Sequence, residues 1–175
     1  KKVIKKLQKR METLVVGNPL DKNTDIGAIN SVEQLDRIKK LVKTGKQEGA
    51  GMWQPPGGVP RKGNWFKPTL FTECAQSHRI VQEEIFGPVL TIQSFRTPQE
   101  ALTKANNTPY GLSGGVWTDK GSKIFKMTAG LNAGVVWANT FNKFDPTSPF
   151  GGYKESGIGR EGGLQGLASY CQFSH

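Results

Sequence analysis

Apolar residues recur at helical spacing in two stretches near the start of the chain. Val3, Ile4, Leu7, Met11 and Leu14 would line one face of a helix over 2–14, and Val32, Leu35, Ile38, Leu41 and Val42 one face of a helix over 31–47. Ser31 and Gln34 open the second helix in a capping-box arrangement, and Gly49 can end it. Gly17-Asn18-Pro19 breaks the first helix, and a polar loop over 21–28 follows. Residues 52–64 are rich in Gly and Pro and read as a surface loop, or a hairpin with an insertion. A strand is expected over 65–72 with Pro68 at its edge, then a short helix over 77–84 and a buried strand over 89–95. A helix over 97–106 has Pro98 at its favoured first position. A strand over 112–118, a helix over 120–128 and a strand over 134–138 complete the alternation. Strand and helix alternating over 89–138 is the pattern of parallel βαβ units. The expected fold class is α/β, an open, largely parallel sheet with flanking helices. From Asn139 the chain is Gly-rich and loop-like until a last helical stretch over 163–169. Nothing in the pattern calls for cutting residues 1–175 into two domains.

Length supports a real core, since 175 residues suffice for a packed domain. A mean hydropathy of −0.48 fits a soluble chain. There is no apolar run of the roughly 18 residues a membrane span needs, and no signal-peptide pattern. The chain begins without Met, inside an expected helix, which suggests a piece of a longer protein. The net charge of +10 raises the question of nucleic acid. Lys1, Lys2, Lys5, Lys6, Lys9 and Arg10 account for six of those charges, and they surround the apolar stripe of the first helix. A solvated basic face explains them. No base-stacking aromatics interleave with the run, so neither a nucleic-acid nor a membrane partner is expected.

Cys74 and Cys171 lie far apart without CxxC spacing, so neither a disulfide framework nor a zinc knuckle is supported, and the cytoplasm is the simplest compartment. His78 and His175 are too few for a typical metal cluster. Cys74 with His78 could be a nucleophile and base, but no orienting acid can be placed beside them, and a structural thiol is the expected reading. A literal GxGxxG stands at Gly157–Gly162. Residues 151–156 before it do not read as a strand, and only 13 residues follow, too few for an acidic ribose ligand about 20 positions on. It reads as a tight turn in which Gly permits close backbone approach.

The octapeptide Glu83-Glu84-Ile85-Phe86-Gly87-Pro88-Val89-Leu90 places two carboxylates and an aromatic ring before a Gly-Pro turn and an apolar strand. Adjacent side chains diverge, so Glu83 and Glu84 are not an acid/base dyad, and one can face inward while the other stays solvated. The run resembles the EEIFGP motif of the aldehyde dehydrogenase superfamily. Val16-Gly17-Asn18-Pro19, Thr44-Gly45-Lys46-Gln47-Glu48-Gly49-Ala50, Pro68-Thr69-Leu70-Phe71, Ala105-Asn106-Asn107-Thr108-Pro109-Tyr110-Gly111-Leu112, Gly134-Val135-Val136-Trp137 and Ser148-Pro149-Phe150-Gly151-Gly152-Tyr153-Lys154-Glu155-Ser156-Gly157 are similar to that family too, in its order and spacing.

The resemblance implies oxidation of a small-molecule aldehyde to an acid with NAD or NADP, through attack by a cysteine thiolate, an oxyanion hole and a Glu-activated water. In the family these groups and the Rossmann segment precede the part matched here. Residues 1–175 would be the C-terminal portion of the catalytic domain, inactive alone, with the remainder of the parent chain as partner and a homo-oligomer when intact. Neither Cys74 nor Cys171 matches the nucleophile's motif. Glu84 matches the Glu that binds the nicotinamide ribose hydroxyls, and Phe86 the aromatic near the nicotinamide. Gln34 and Arg37 align with a Gln and a basic residue, often Lys, near the same ribose. They lie one helical turn apart on one face, and Gln34 is also available as the capping partner of Ser31. Phe144 and Phe150 match aromatics lining the aldehyde tunnel, and Phe141 and Asn142 fall in the stretch that varies with substrate. Gly157–Glu161 resembles the family's SGxGRE loop. After Phe173 the family continues into a strand used in oligomer assembly, expected here to be cut short or diverged. A non-catalytic scaffold of the same fold and a basic nucleic-acid-binding module are the alternatives.

Overall fold

The computed structural model describes residues 1–172. Phe173 and the two residues after it, where the assembly strand was expected, lie outside them. Two compact units divide the chain, Lys1–Ser94 and Phe95–His175.

In the first unit the basic helix α1 (Lys2–Met11) is shorter than its apolar period suggests. The Thr13 hydroxyl donates to the Arg10 carbonyl at 2.9 Å and closes the last turn, leaving Leu14 outside the helix. Helix α2 (Val32–Gln47) starts as expected. Ser31 Oγ accepts the Gln34 N–H at 3.1 Å, and Gly49, at φ 91°, follows the helix end. Strand β1 (Gly51–Trp53) pairs antiparallel with β2 (Thr69–Thr72), the hairpin with an insertion. Strand β2 then pairs parallel with β3 (Val89–Thr91), with the short helix α3 (Arg79–Gln82) between them. Strand β3 is an edge of this three-stranded sheet, so Leu90 is 46% exposed where a buried strand was expected.

Ile38, Leu41 and Val42 of α2 pack with Phe71, Ile80, Ile85 and Ala50 to make the core. Gly45 allows α3 to approach α2, since a Cβ there would meet Ile80 Cδ1 at 2.7 Å. Buried Thr69 is satisfied on both sides: its hydroxyl accepts from Gln54 Nε2 at 2.8 Å and donates to the Lys67 carbonyl at 2.9 Å. The first of these bonds ties the Gly-Pro loop to the sheet.

In the second unit Thr97 caps helix α4 (Pro98–Asn106), accepting from the Glu100 N–H at 3.1 Å. Strands β5 (Ser113–Val116) and β6 (Val135–Ala138) run parallel with helix α5 (Gly121–Gly130) as the crossover, a complete βαβ unit. Two strands went unforeseen, β4 (Tyr110–Gly111) and β7 (Tyr153–Lys154), which pair antiparallel. Helix α6 (Gly163–Ala168) follows. The architecture is mixed α/β, with small open sheets, partly parallel, and flanking helices.

Candidate functional site

The acidic motif forms a loop held at every residue from 83 to 88. Helix α3 ends because Glu83 turns extended, at φ −106° and ψ 138°. Its carboxylate receives both Nε and Nη2 of Arg79, the latter at 3.0 Å. That guanidinium holds the Glu83 carboxyl below the usual carboxylate range. The Arg79 N–H in turn donates to Glu48 Oε2 at 3.0 Å, fastening α3 to the end of α2. Ile85 is buried in the core and anchors the loop centre. Gly87 lies so close to α2 that a Cβ would meet Ile38 Cδ1 at 2.5 Å. Pro88 accepts the Thr69 N–H at 2.9 Å and delivers the chain into β3.

Helix α2 supplies the rest. Gln34 Nε2 donates to the carbonyls of Ile85 at 2.9 Å and Phe86 at 3.1 Å. Arg37 Nη2 donates to the Glu84 carbonyl at 3.1 Å. The fold thus brings Gln34, Arg37, Glu84 and Phe86 together. The Gln34 side chain is engaged with the loop, while its backbone N–H serves the Ser31 cap. Phe86 sits in the left-handed region at φ 55° and is 69% exposed. A bulky residue in that region is held there by its surroundings at a cost on the order of 1–3 kcal/mol, and here Gln34 and the buried Ile85 hold it. Glu84 is exposed, and its carboxylate has no hydrogen-bonding side chain beside it among the described residues. An ionised carboxylate is acceptor-only, so this group can take two hydroxyl donors, which suits a ribose diol. Arg79 was not singled out from sequence, although its i,i+4 spacing to Glu83 is the signal that could have found it.

Phe144 and Phe150 belong to the second unit and meet each other there. Their ring centroids are 5.0 Å apart, edge to face. Trp137, at the end of β6, packs against Phe144 at 5.6 Å and Phe141 at 5.1 Å. Its indole N–H donates to the Lys143 carbonyl at 2.8 Å, so the buried ring fixes the turn carrying both phenylalanines. Phe150 is further fixed by a two-way backbone bridge with Glu161, 2.7 Å each way. The result is a rigid apolar wall with Phe144 58% exposed. Trp137 is the member that sequence reasoning passed over.

The two decoys resolve structurally. Burial pushes the Cys74 thiol up, and its Sγ lies 3.7 Å from the Thr72 carbonyl. His78 Nδ1 accepts the Ala75 N–H at 3.3 Å, serving a turn. The GxGxxG segment runs from the two-residue strand β7, which was not expected before it, to helix α6, and the loop is closed by its own chain. Gly157 and Gly162 have φ 139° and 70°, and Arg160 spans the loop, donating to the Gly152 carbonyl at 2.7 Å while its guanidinium stacks 4.5 Å from the centroid of the Tyr153 ring.

Known proteins share this fold. The model of the aldehyde dehydrogenase family matches residues 1–175. Betaine aldehyde dehydrogenase of Bacillus subtilis (strain 168) is 39% identical over 97% of this chain, which spans only 35% of that relative's length. A crystal structure of betaine aldehyde dehydrogenase from Staphylococcus aureus in complex with NAD+ superposes with a TM-score of 0.91, at 39% identity over 97% of this chain and 34% of that one. An aldehyde dehydrogenase from Bacillus cereus, the E194S mutant, gives a TM-score of 0.92 at 38% identity over 98% of this chain and 35% of that one. With the family model matched over residues 1–175 and the fold shared with solved relatives, the chain belongs to the aldehyde dehydrogenase family.

Proposed function

We propose that residues 1–175 are the C-terminal portion of the catalytic domain of an NAD(P)-dependent aldehyde dehydrogenase. The parent enzyme converts small-molecule aldehydes to carboxylic acids through a cysteine thiohemiacetal. Its nucleophile, Rossmann segment and oxyanion donors come from the remainder of the parent chain. The cofactor supplies the hydride acceptor when bound. Glu84 accepts hydrogen bonds from the nicotinamide ribose hydroxyls and so orients the cofactor. Phe86 packs beside the nicotinamide. Phe144 and Phe150 line the aldehyde passage and exclude water from it. The NAD+ bound by the Staphylococcus aureus relative makes NAD the first choice over NADP.

One observation carries this reading: an exposed carboxylate, Glu84, rises from a backbone fixed on both sides. Such a group is preorganised to hold a polar ligand without ordering costs at binding. The test is Glu84→Gln in the parent enzyme. Single-turnover hydride transfer should slow by about tenfold or more, as expected when a charge-assisted hydrogen bond is lost. Reaction of the nucleophilic thiol with iodoacetamide should stay unchanged. A hydride step at the parent rate would overturn the assignment.

A further inference from the structure

The family resemblance sets Gln34 and Arg37 near the ribose, yet their side chains already have partners in the protein. Gln34 Nε2 donates to two successive carbonyls, Ile85 and Phe86, at 2.9 and 3.1 Å. Arg37 Nη2 reaches the carbonyl of Glu84 itself at 3.1 Å. Their acceptors lie 47 to 52 residues away in sequence, so these are tertiary ties between α2 and the loop. On the far side Arg79 grips the Glu83 carboxylate through two nitrogens. Four consecutive residues, 83 to 86, are therefore each held through an oxygen by a side chain of α2 or α3. Phe86 cannot relax from its left-handed φ of 55° while its carbonyl is held.

We infer that Gln34 and Arg37 are positioning residues, which hold the Glu84–Phe86 backbone in its working shape. This rests on the reading of Glu84 as the ribose ligand. Arg37 suits the task because its guanidinium carries several donors on a rigid plane, so one nitrogen can hold a carbonyl while charge remains near the loop. Glu83 completes the arrangement. It takes the guanidinium of Arg79 through two nitrogens.

The experiment uses the full-length parent enzyme carrying Arg37→Met, Glu84→Gln, or both. Arg37 is exposed, so the variant should fold. The first readout is amide hydrogen exchange of the 83–87 segment without cofactor. Loss of the tie should raise exchange there by about tenfold, the scale of one hydrogen bond to a charged group. The second is the dissociation constant of NAD+ by calorimetry. Arg37→Met should weaken binding about tenfold alone and less than about twofold when added to Glu84→Gln, since coupled residues are non-additive. Unchanged exchange in Arg37→Met, or equal weakening of NAD+ binding in both backgrounds, would overturn the positioning role. Raised exchange with Glu84→Gln neutral toward NAD+ would uphold the tie and remove Glu84 as the ribose ligand, so the two readings fail separately.

Discussion

At the scale of residues, the informative distinction is between side chains that are spent and side chains that are available. Glu83 and Glu84 are identical and adjacent, yet Arg79 consumes the first and the second remains an open acceptor. That divergence was legible from alternation of side-chain direction. The one-turn spacing of Gln34 and Arg37 also gave a shared face. What they bond to was not legible, because their acceptors are backbone carbonyls, which look alike at every residue of a sequence. Cys74 makes the same point about chemistry. Its neighbour His78 suggested a nucleophile pair, but His78 faces a turn N–H, and burial raises the thiol. The thiolate should therefore appear only at higher pH than for a free cysteine. At neutral pH Cys74 should react with iodoacetamide more slowly than glutathione does, followed by peptide mass spectrometry. Faster labelling than glutathione would contradict this account of its environment.

At the scale of elements, capping and periodicity were reliable where they are local. Ser31 and Thr97 both cap the helices they were expected to start. Replacing Ser31 by Ala should cost about 1 kcal/mol in urea unfolding, as for other N-cap serines. No loss at all would mean that α2 is held by packing alone. The parallel pair β5 and β6 with its α5 crossover was visible as two strand-like runs flanking a helical one. The strand over 89–95 was visible too, but its partner was not. Strand β3 pairs with β2, which precedes it, rather than with β5. A run of apolar residues announces a strand without naming the edge it will join. Strands β4 and β7 have two residues each, too few for any alternation to register.

At the scale of the molecule, the chain spans 35% of the length of its Bacillus subtilis relative, and it carries strong positive charge concentrated on α1. Among the described residues no helix is long and apolar enough to cross a membrane. Acid stability should follow four carboxylates held below their ordinary values. Glu33 and Asp145 are held by hydrogen bonds to nearby backbone N–H and hydroxyl groups, Glu83 by Arg79, and Glu100 by Lys104 and the Arg96 N–H. A depressed folded value means stability that is complete above the unfolded value and lost as pH falls through the folded one. Melting temperature should therefore be level from neutrality to about pH 5 and decline below about pH 4, where the unfolded chain binds protons first. Each exposed pair contributes little alone, so the decline should be gradual. A melting temperature constant down to about pH 3 would contradict it.

The second unit contains a place where three backbone segments lie closely against one another. A Cβ on Gly134 would collide with the Gly151 carbonyl, and a Cβ on Gly151 with the Gly159 carbonyl. Both colliding atoms are main chain, so no rotamer change can make room. Across diverging descendants of this sequence, selection would hold those glycines as firmly as it holds a reacting group, for a reason that involves no reaction. Constancy along 134–159 would then record how much space the polypeptide has, and a reader ranking positions by constancy alone would mistake masonry for machinery.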